Sequence, residues 1–342
     1  MTRRQILFAA TFVAAIAILI VLATRIDLTA TFAQIGRVGI SGAALLLLDM
    51  TLAMLGPLLA WHILMRSEGI RVGLGTTLTS GLMGHSVNLI SPMMYFGGEG
   101  VRTFHIASVA GIPRRRVLAT IVAAEFQALV ALSASIVAAL IVVAGSVRSD
   151  AMPIAWMVTG SLSLAVIVGL IFCVLLLDLH FAARIIGFLM RCRIFPGRLE
   201  LLRHDAADVE DVVRNLLVRN KLRFLAAQLL VFLSPLAQFI LPAIFFWFLR
   251  TAGQTAPQPT FSQLASFFVL VQLLFMIPTT PAGLGVYEGG IVGIFRLHGW
   301  NIPDAAAYAI LVRLDDVLFS ISGAVLLASR GLTSVLKGSS DD

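Results

Sequence analysis

Charge is scarce in this sequence. Only 13% of its 342 residues are Asp, Glu, Lys or Arg, against 59% hydrophobic, and the mean hydropathy is +0.97. A water-soluble chain of this length could not cover itself with so little polar surface, which excludes a soluble enzyme or a nucleic-acid-binding domain. Lysine is nearly missing: of 25 basic residues, Lys221 and Lys337 are the two lysines and the rest are Arg. That bias reads as compositional, with some allowance for phosphate recognition. The two cysteines, Cys173 and Cys192, have no metal-type spacing and indicate neither a disulfide nor a metal site. There is no His-Glu-x-x-His, no Gly-x-Ser-x-Gly and no phosphate-binding loop, and no polar stretch is long enough for a catalytic domain. Neither catalysis nor a cofactor is expected.

What the sequence has is apolar runs of membrane-crossing length, since about 18–20 residues of helix cross roughly 30 Å of hydrocarbon. In order, the expected spans are Gln5–Thr24 (a retained anchor after Arg3-Arg4), Ile40–Leu64, Val117–Ala144, Pro153–Leu177, Phe224–Leu249 and Asp304–Ser329. A short loop with Arg25, Asp27 and Arg37 is expected between the first two. Leu74–Ile90 and Phe261–Ile277 are weaker runs, each stopping at a proline-and-glycine break. Pro113 sits where a helix start tolerates it. The one sizeable polar region, His180–Arg223, carries Leu202, Ala206, Val209, Val213 and Leu216 at helical spacing among Asp and Arg. It reads as an amphipathic segment lying on anionic lipid headgroups.

The two breaks resemble each other. Ser91–Arg102 reads Ser-Pro-Met-Met-Tyr-Phe-Gly-Gly-Glu-Gly-Val-Arg, and Thr280–Gly290 reads Thr-Pro-Ala-Gly-Leu-Gly-Val-Tyr-Glu-Gly-Gly. Pro92 and Glu99 match Pro281 and Glu288 at an offset of 189, and Pro113 and Glu125 match Pro303 and Asp315 at 190. Each half then holds three crossing helices and one broken pair. Three is odd, so the second half enters the membrane inverted. The expected fold is an all-α polytopic integral membrane protein, one transmembrane domain over residues 1–342. It divides into two inverted-topology repeats, 5–144 and 152–330, each of three transmembrane helices plus one re-entrant helical hairpin, with the amphipathic segment 180–223 cytoplasmic. With both termini in the cytoplasm, 19 basic residues fall inside and 5 outside, as positive-inside orientation requires.

Glu99, Glu125, Glu288, Arg313, Asp315 and Asp316 all fall at or near membrane depth. Each costs about 2.5–3.5 kcal/mol on an insertion scale unless it pairs or meets water. Broken backbone survives there only inside protein or beside a cavity. Two hairpins built on Pro92, Gly97, Gly98, Pro281, Gly283 and Gly285 could therefore form a polar cavity near the midplane. Simpler readings stand beside this one. Glu99 and Arg102 are spaced as a surface helical pair, and Arg313 and Asp316 as a self-neutralising pair. Glu125 and Asp315 suit symmetric structural partners for the hairpins. His85 and Asn88 suit satisfied core polar groups, Tyr287 packing, and Arg114–Arg116 a topology signal.

The ordered motifs Pro92…Gly97-Gly98-Glu99…Arg102, Gly111…Glu125, Pro281-Ala282-Gly283-Leu284-Gly285-Val286…Glu288 and Ala305…Arg313 resemble the lysylphosphatidylglycerol-synthase transmembrane (flippase-like) family over roughly Arg3–Arg330. The resemblance implies a stand-alone member without the aminoacyltransferase domain, with Glu99, Arg102, Glu125, Glu288 and Arg313 functional. Phe126 stands where the family often has Arg, and no lysyl-transferring domain follows, so lysyl transfer is not expected. The implied role is a lipid flippase or transporter of the bacterial inner membrane. Its cargo would be an anionic or aminoacylated phospholipid, or a polyprenyl-phosphate- or hopanoid-type lipid. Arg102 and Arg313 would contact phosphate. Glu99 and Glu288 would hold a cationic group or a coupling proton, or pin the hairpin tips. Glu125 and Asp315 would orient the hairpins, and Asp316 would join the site. A secondary carrier for a small soluble substrate, and a non-transporting membrane partner of a lipid-modifying enzyme, are the alternatives. Association into a homo-oligomer is left open.

Overall fold

The computed structural model describes residues 27–90, 97–146, 220–253, 255–275 and 283–331, together with Thr24, Arg214 and Asn215. The expected anchor before Thr24, the span Pro153–Leu177, most of His180–Arg223, and the tip residues Pro92 and Pro281 lie outside the described residues. Among those described, every regular element is helical: α1 (Leu28–Ser67), α2 (Leu74–Ile90), α3 (Gly98–Ala110), α4 (Arg114–Ser146), α5 (Lys221–Val231), α6 (Leu233–Thr251), α7 (Phe261–Phe275), α8 (Val286–Leu297) and α9 (Ile302–Leu326), which ends in a π-helical turn, Leu327–Gly331.

Among the described residues, three helical stretches are long and apolar enough to cross a membrane: α1, α4, and α5 with α6 taken together as Lys221–Thr251. By contrast α2, α3, α7 and α8 have 17, 13, 15 and 12 residues. At 1.5 Å per residue each is only about 18–26 Å long, short of the hydrocarbon thickness. The last helix, α9, has the length but carries Arg313, Asp315 and Asp316.

One boundary differs from the sequence reading. The expected loop with Arg25, Asp27 and Arg37 is helical from Leu28 onward, and α1 runs well beyond Ile40–Leu64 at its start. Asp27 caps it by accepting a hydrogen bond from the Ala30 amide at 3.0 Å. The interruption falls instead at Gly39, whose φ of 67° and ψ of 179° kink the helix. Only glycine enters that conformation without steric cost, and a hydropathy scan reads its flanking residues as a gap.

Helix packing interleaves the two halves of the chain. The central contact is α1 against α5 and α6. Outside it, α2 leans on α9 and α7 leans on α4, so the first arm of each broken pair rests on the last helix of the other half. Small residues permit this closeness, as expected where lipid-facing helices gain little from hydrophobic burial. Gly56 leaves no room for a side chain against the Leu230 carbonyl, nor Gly323 against that of Leu82. Aromatic rings fill the second half: Phe245, Phe246, Phe267, Phe295, Trp300 and Tyr308 form one buried cluster with ring centroids 4.7–5.9 Å apart. In the first half, Trp61 on α1 donates its indole N–H to Thr120 on α4 at 3.1 Å, fully buried.

Candidate functional site

The two broken pairs share a local design. Each second arm opens on a glycine in a left-handed conformation, Gly97 with φ 154° and Gly285 with φ 80°. Each glycine donates its backbone N–H to the glutamate that follows. Gly97 bonds Glu99 Oε2 at 2.8 Å, and Gly285 bonds Glu288 Oε2 at 2.6 Å. A carboxylate there satisfies an orphan amide and favours the positive end of the helix dipole. Glu99 and Glu288 therefore hold the starts of α3 and α8.

In the first pair, α2 and α3 cross at Gly84 and Gly98, where a Cβ on Gly98 would meet the Gly84 carbonyl. That closeness lets Asn88 reach α3 twice. Its Oδ1 accepts from the Gly98 amide at 2.7 Å, and its Nδ2 donates to Glu99 Oε1 at 3.3 Å. Arg102 does not make the expected helical pair with Glu99. Its Nη1 crosses to Glu125 Oε1 on α4 at 3.2 Å, while its Nε is buried with no hydrogen-bond partner among the described residues.

In the second pair, Arg313 on α9 joins two carboxylates. Its Nε donates to Glu288 Oε1 at 2.9 Å and its Nη1 to Asp316 Oδ2 at 3.0 Å. The guanidinium lies over the Tyr287 ring at 4.6 Å from the centroid, and Tyr287 stacks on Phe275. Arg313 Nη2 is buried and makes no hydrogen bond. Asp315 is 5% exposed, and its Oδ1 likewise has no hydrogen-bond partner. The contact to the second hairpin that Asp315 was expected to make is thus made by Arg313. Gly283 lies in the turn before α8 with φ 62°.

His85 bridges the two pairs. From α2, its Nε2 lies 3.8 Å from Asp316 Oδ1 on α9. A chain of polar groups therefore runs from Glu288 through Arg313, Asp316 and His85 to Asn88, one turn along α2, and on to Glu99. Sequence reasoning took His85 and Asn88 for satisfied core groups. Their position in the helix that enters a broken pair was the available signal. Tyr287 was read as packing, and it does pack, but as the platform for Arg313. No group of His, Cys, Asp and Glu suited to a metal ion occurs among the described residues.

An apolar cavity of about 460 Å³ lies between α4, the α5–α6 junction and α7. Ala139, Val142, Phe232, Leu236, Phe239 and Phe268 line it, with Ser135 at its polar edge. Ser135 stands about 15 Å along α4 from Glu125, by helical rise.

No curated protein matches the chain in a sequence search. The family model of the lysylphosphatidylglycerol synthase TM region matches residues 6–323. The chain therefore belongs to that family, and is a multi-pass membrane protein connected with lipid metabolism or transport.

Proposed function

We propose that the protein moves a phosphate-bearing lipid between the leaflets of a bacterial inner membrane. The observation that carries this reading is the pair of guanidinium groups, Arg102 and Arg313, one beside each broken pair. Each is tied to a carboxylate on one side and keeps one buried N–H donor, Nε or Nη2, without a partner among the described residues. A phosphate oxygen satisfies such donors with charge-assisted bonds. Glu99 and Glu288 fix the helix starts around it and are available to a cationic headgroup. The apolar cavity beside α4 suits an acyl chain better than a small soluble solute, which favours lipid over the carrier alternative.

An inverted repeat with re-entrant hairpins gives the site its two entrances. Three features support that plan. Matching glycine–glutamate caps open α3 and α8, α2, α3, α7 and α8 are short, and α2 on α9 mirrors α7 on α4. The positive-inside count supports a topology with both termini in the cytoplasm. The chain acts without catalysis, as a translocator.

The test uses purified protein in vesicles of phosphatidylglycerol and phosphatidylethanolamine with a trace of fluorescent phosphatidylglycerol. Dithionite quenching then reports how much labelled lipid remains in the inner leaflet. Protein-dependent exchange that falls in Arg102→Gln and Arg313→Gln is expected. Exchange no faster than in empty vesicles, or unchanged in both variants, overturns the reading.

A further inference from the structure

The polar cluster is short of positive charge. Arg102 and Arg313 stand among Glu99, Glu125, Glu288, Asp315 and Asp316, so carboxyl groups outnumber guanidiniums by three. Arg313 alone serves two of them, Glu288 and Asp316. Its remaining face is taken up by Tyr287. At membrane depth an uncompensated carboxylate is costly, and Asp315 is almost wholly buried with one oxygen unbonded. The smallest cation that relieves such a cost is a proton.

His85 Nε2 is buried and makes no hydrogen bond among the described residues, yet it points across the α2–α9 contact at Asp316 Oδ1, 3.8 Å away. That is too long for a hydrogen bond and short enough for an ion pair. The ring is held edge-on to Phe319, with 6.2 Å between centroids. We propose that His85 and Asp316 form a binding site for a coupling proton, and that its occupancy sets how tightly α2 closes on α9. A proton taken from water by the Nε2 lone pair turns a neutral contact into an ion pair across the two halves. The other titratable and charged groups on the surrounding elements include Asp49 and His62 on α1, Glu99, Arg102 and His105 on α3, Glu125 on α4, Tyr287 and Glu288 on α8, and Asp304, Tyr308, Arg313 and Asp315 on α9. His62 is engaged by Thr77 at 2.8 Å, whereas His85 faces an acid across two helices. The coupling role rests on the lipid-moving reading above. The proton-dependent contact does not.

Two measurements separate these. In protein with Cys173 and Cys192 replaced by serine, spin labels at Leu74→Cys and Val325→Cys report the α2–α9 separation by pulsed electron resonance. Comparing about pH 5 with about pH 8 brackets the ordinary range of histidine. The expected result is a shift in the distance distribution that His85→Gln abolishes. Asp316→Asn, checked for a monodisperse gel-filtration peak, abolishes it too and guards against misfolding of the first variant. A distribution that ignores pH, or a shift that survives His85→Gln, overturns the proposal. In the second measurement, the fluorescent-lipid exchange is repeated with a pH gradient across the vesicle. Acceleration by the gradient that disappears in His85→Gln supports coupling. Exchange that proceeds regardless of gradient and of His85 ends the coupling role while leaving lipid movement intact. A His85-dependent distance shift without any lipid exchange ends the lipid reading and leaves the proton site standing.

Discussion

Glu99 and Glu288 hold corresponding places in two different helices but are bound differently. Both accept the amide of the glycine that opens their helix, Gly97 and Gly285. Glu99 gives its second oxygen to a neutral amide, Asn88, whereas Glu288 gives its second oxygen to a cation, Arg313. The two substitutions should therefore differ in cost. Glu99→Gln loses one hydrogen bond of about 1 kcal/mol. Glu288→Gln also removes one of the two carboxylates of a largely buried guanidinium, a charge-assisted bond of about 1.5–3 kcal/mol, while Asp316 remains. Thermal unfolding in one detergent should place Glu288→Gln clearly below Glu99→Gln. The reverse order would mean that Arg313 finds another partner.

Arg313 serves Glu288 by Nε, Asp316 by Nη1 and the Tyr287 ring by its flat face. A lysine ammonium has neither the fork nor the plane to do all three. Arg313→Lys should therefore behave in lipid exchange much as Arg313→Gln does, despite keeping the charge. If Arg313→Lys exchanged lipid at the wild-type rate, charge alone would be what the position supplies.

Close helix contact supplies a third prediction. A Cβ on Gly98 would meet the Gly84 carbonyl, and one on Gly323 the Leu82 carbonyl, both main-chain atoms that cannot swing aside. Gly98→Ala and Gly323→Ala should each lower stability by about 1–3 kcal/mol through overpacking. Gly100, in the same helix as Gly98, has nothing within 4 Å of such a Cβ. There alanine should be neutral or stabilising by up to about 1 kcal/mol from helix propensity. Equal melting shifts for Gly98→Ala and Gly100→Ala would show that α2 and α3 do not meet as described.

The bond from Trp61 to Thr120 gives a fourth. Trp61→Phe and Thr120→Val should each cost about 1 kcal/mol from the lost hydrogen bond, more where the remaining partner stays unsatisfied. The double variant should cost less than the sum of the singles, because each removes the same bond. Full additivity would place the two side chains apart.

Much of this was legible in the sequence, and the reasons are local. Leu74–Ile90 and the end of α3 at Gly111 were found because proline and glycine act on the backbone where they stand, and Gly111 does adopt the left-handed C-cap conformation. The capping use of Glu99 and Glu288 was among the roles foreseen, since the glycine–glutamate spacing is itself local. Partners across helices were not legible. Arg102 lies three residues from Glu99, the spacing of a helical pair, yet it reaches Glu125 because Gly84 and Gly98 bring α2 and α3 together and turn Arg102 toward α4. His85 meeting Asp316 depends on packing between residues more than two hundred positions apart, which no pattern in either segment encodes. The start of α1 was missed for a different reason. Residues 28–38 are helical but polar enough to look like a loop, and one glycine at the kink separates them from the apolar run.

The interleaving of α2 with α9 and of α7 with α4 has a consequence for how the chain is made. Synthesis runs from the N-terminus, so α2 and α4 enter the membrane long before the helices that cover them exist. The first half must wait in the bilayer with Leu82 and Ser86 unmet until Gly323, more than two hundred residues later, is made. Neither half is a folding unit by itself. Two fragments divided between α4 and α5 should be degraded when expressed singly and recovered together when co-expressed.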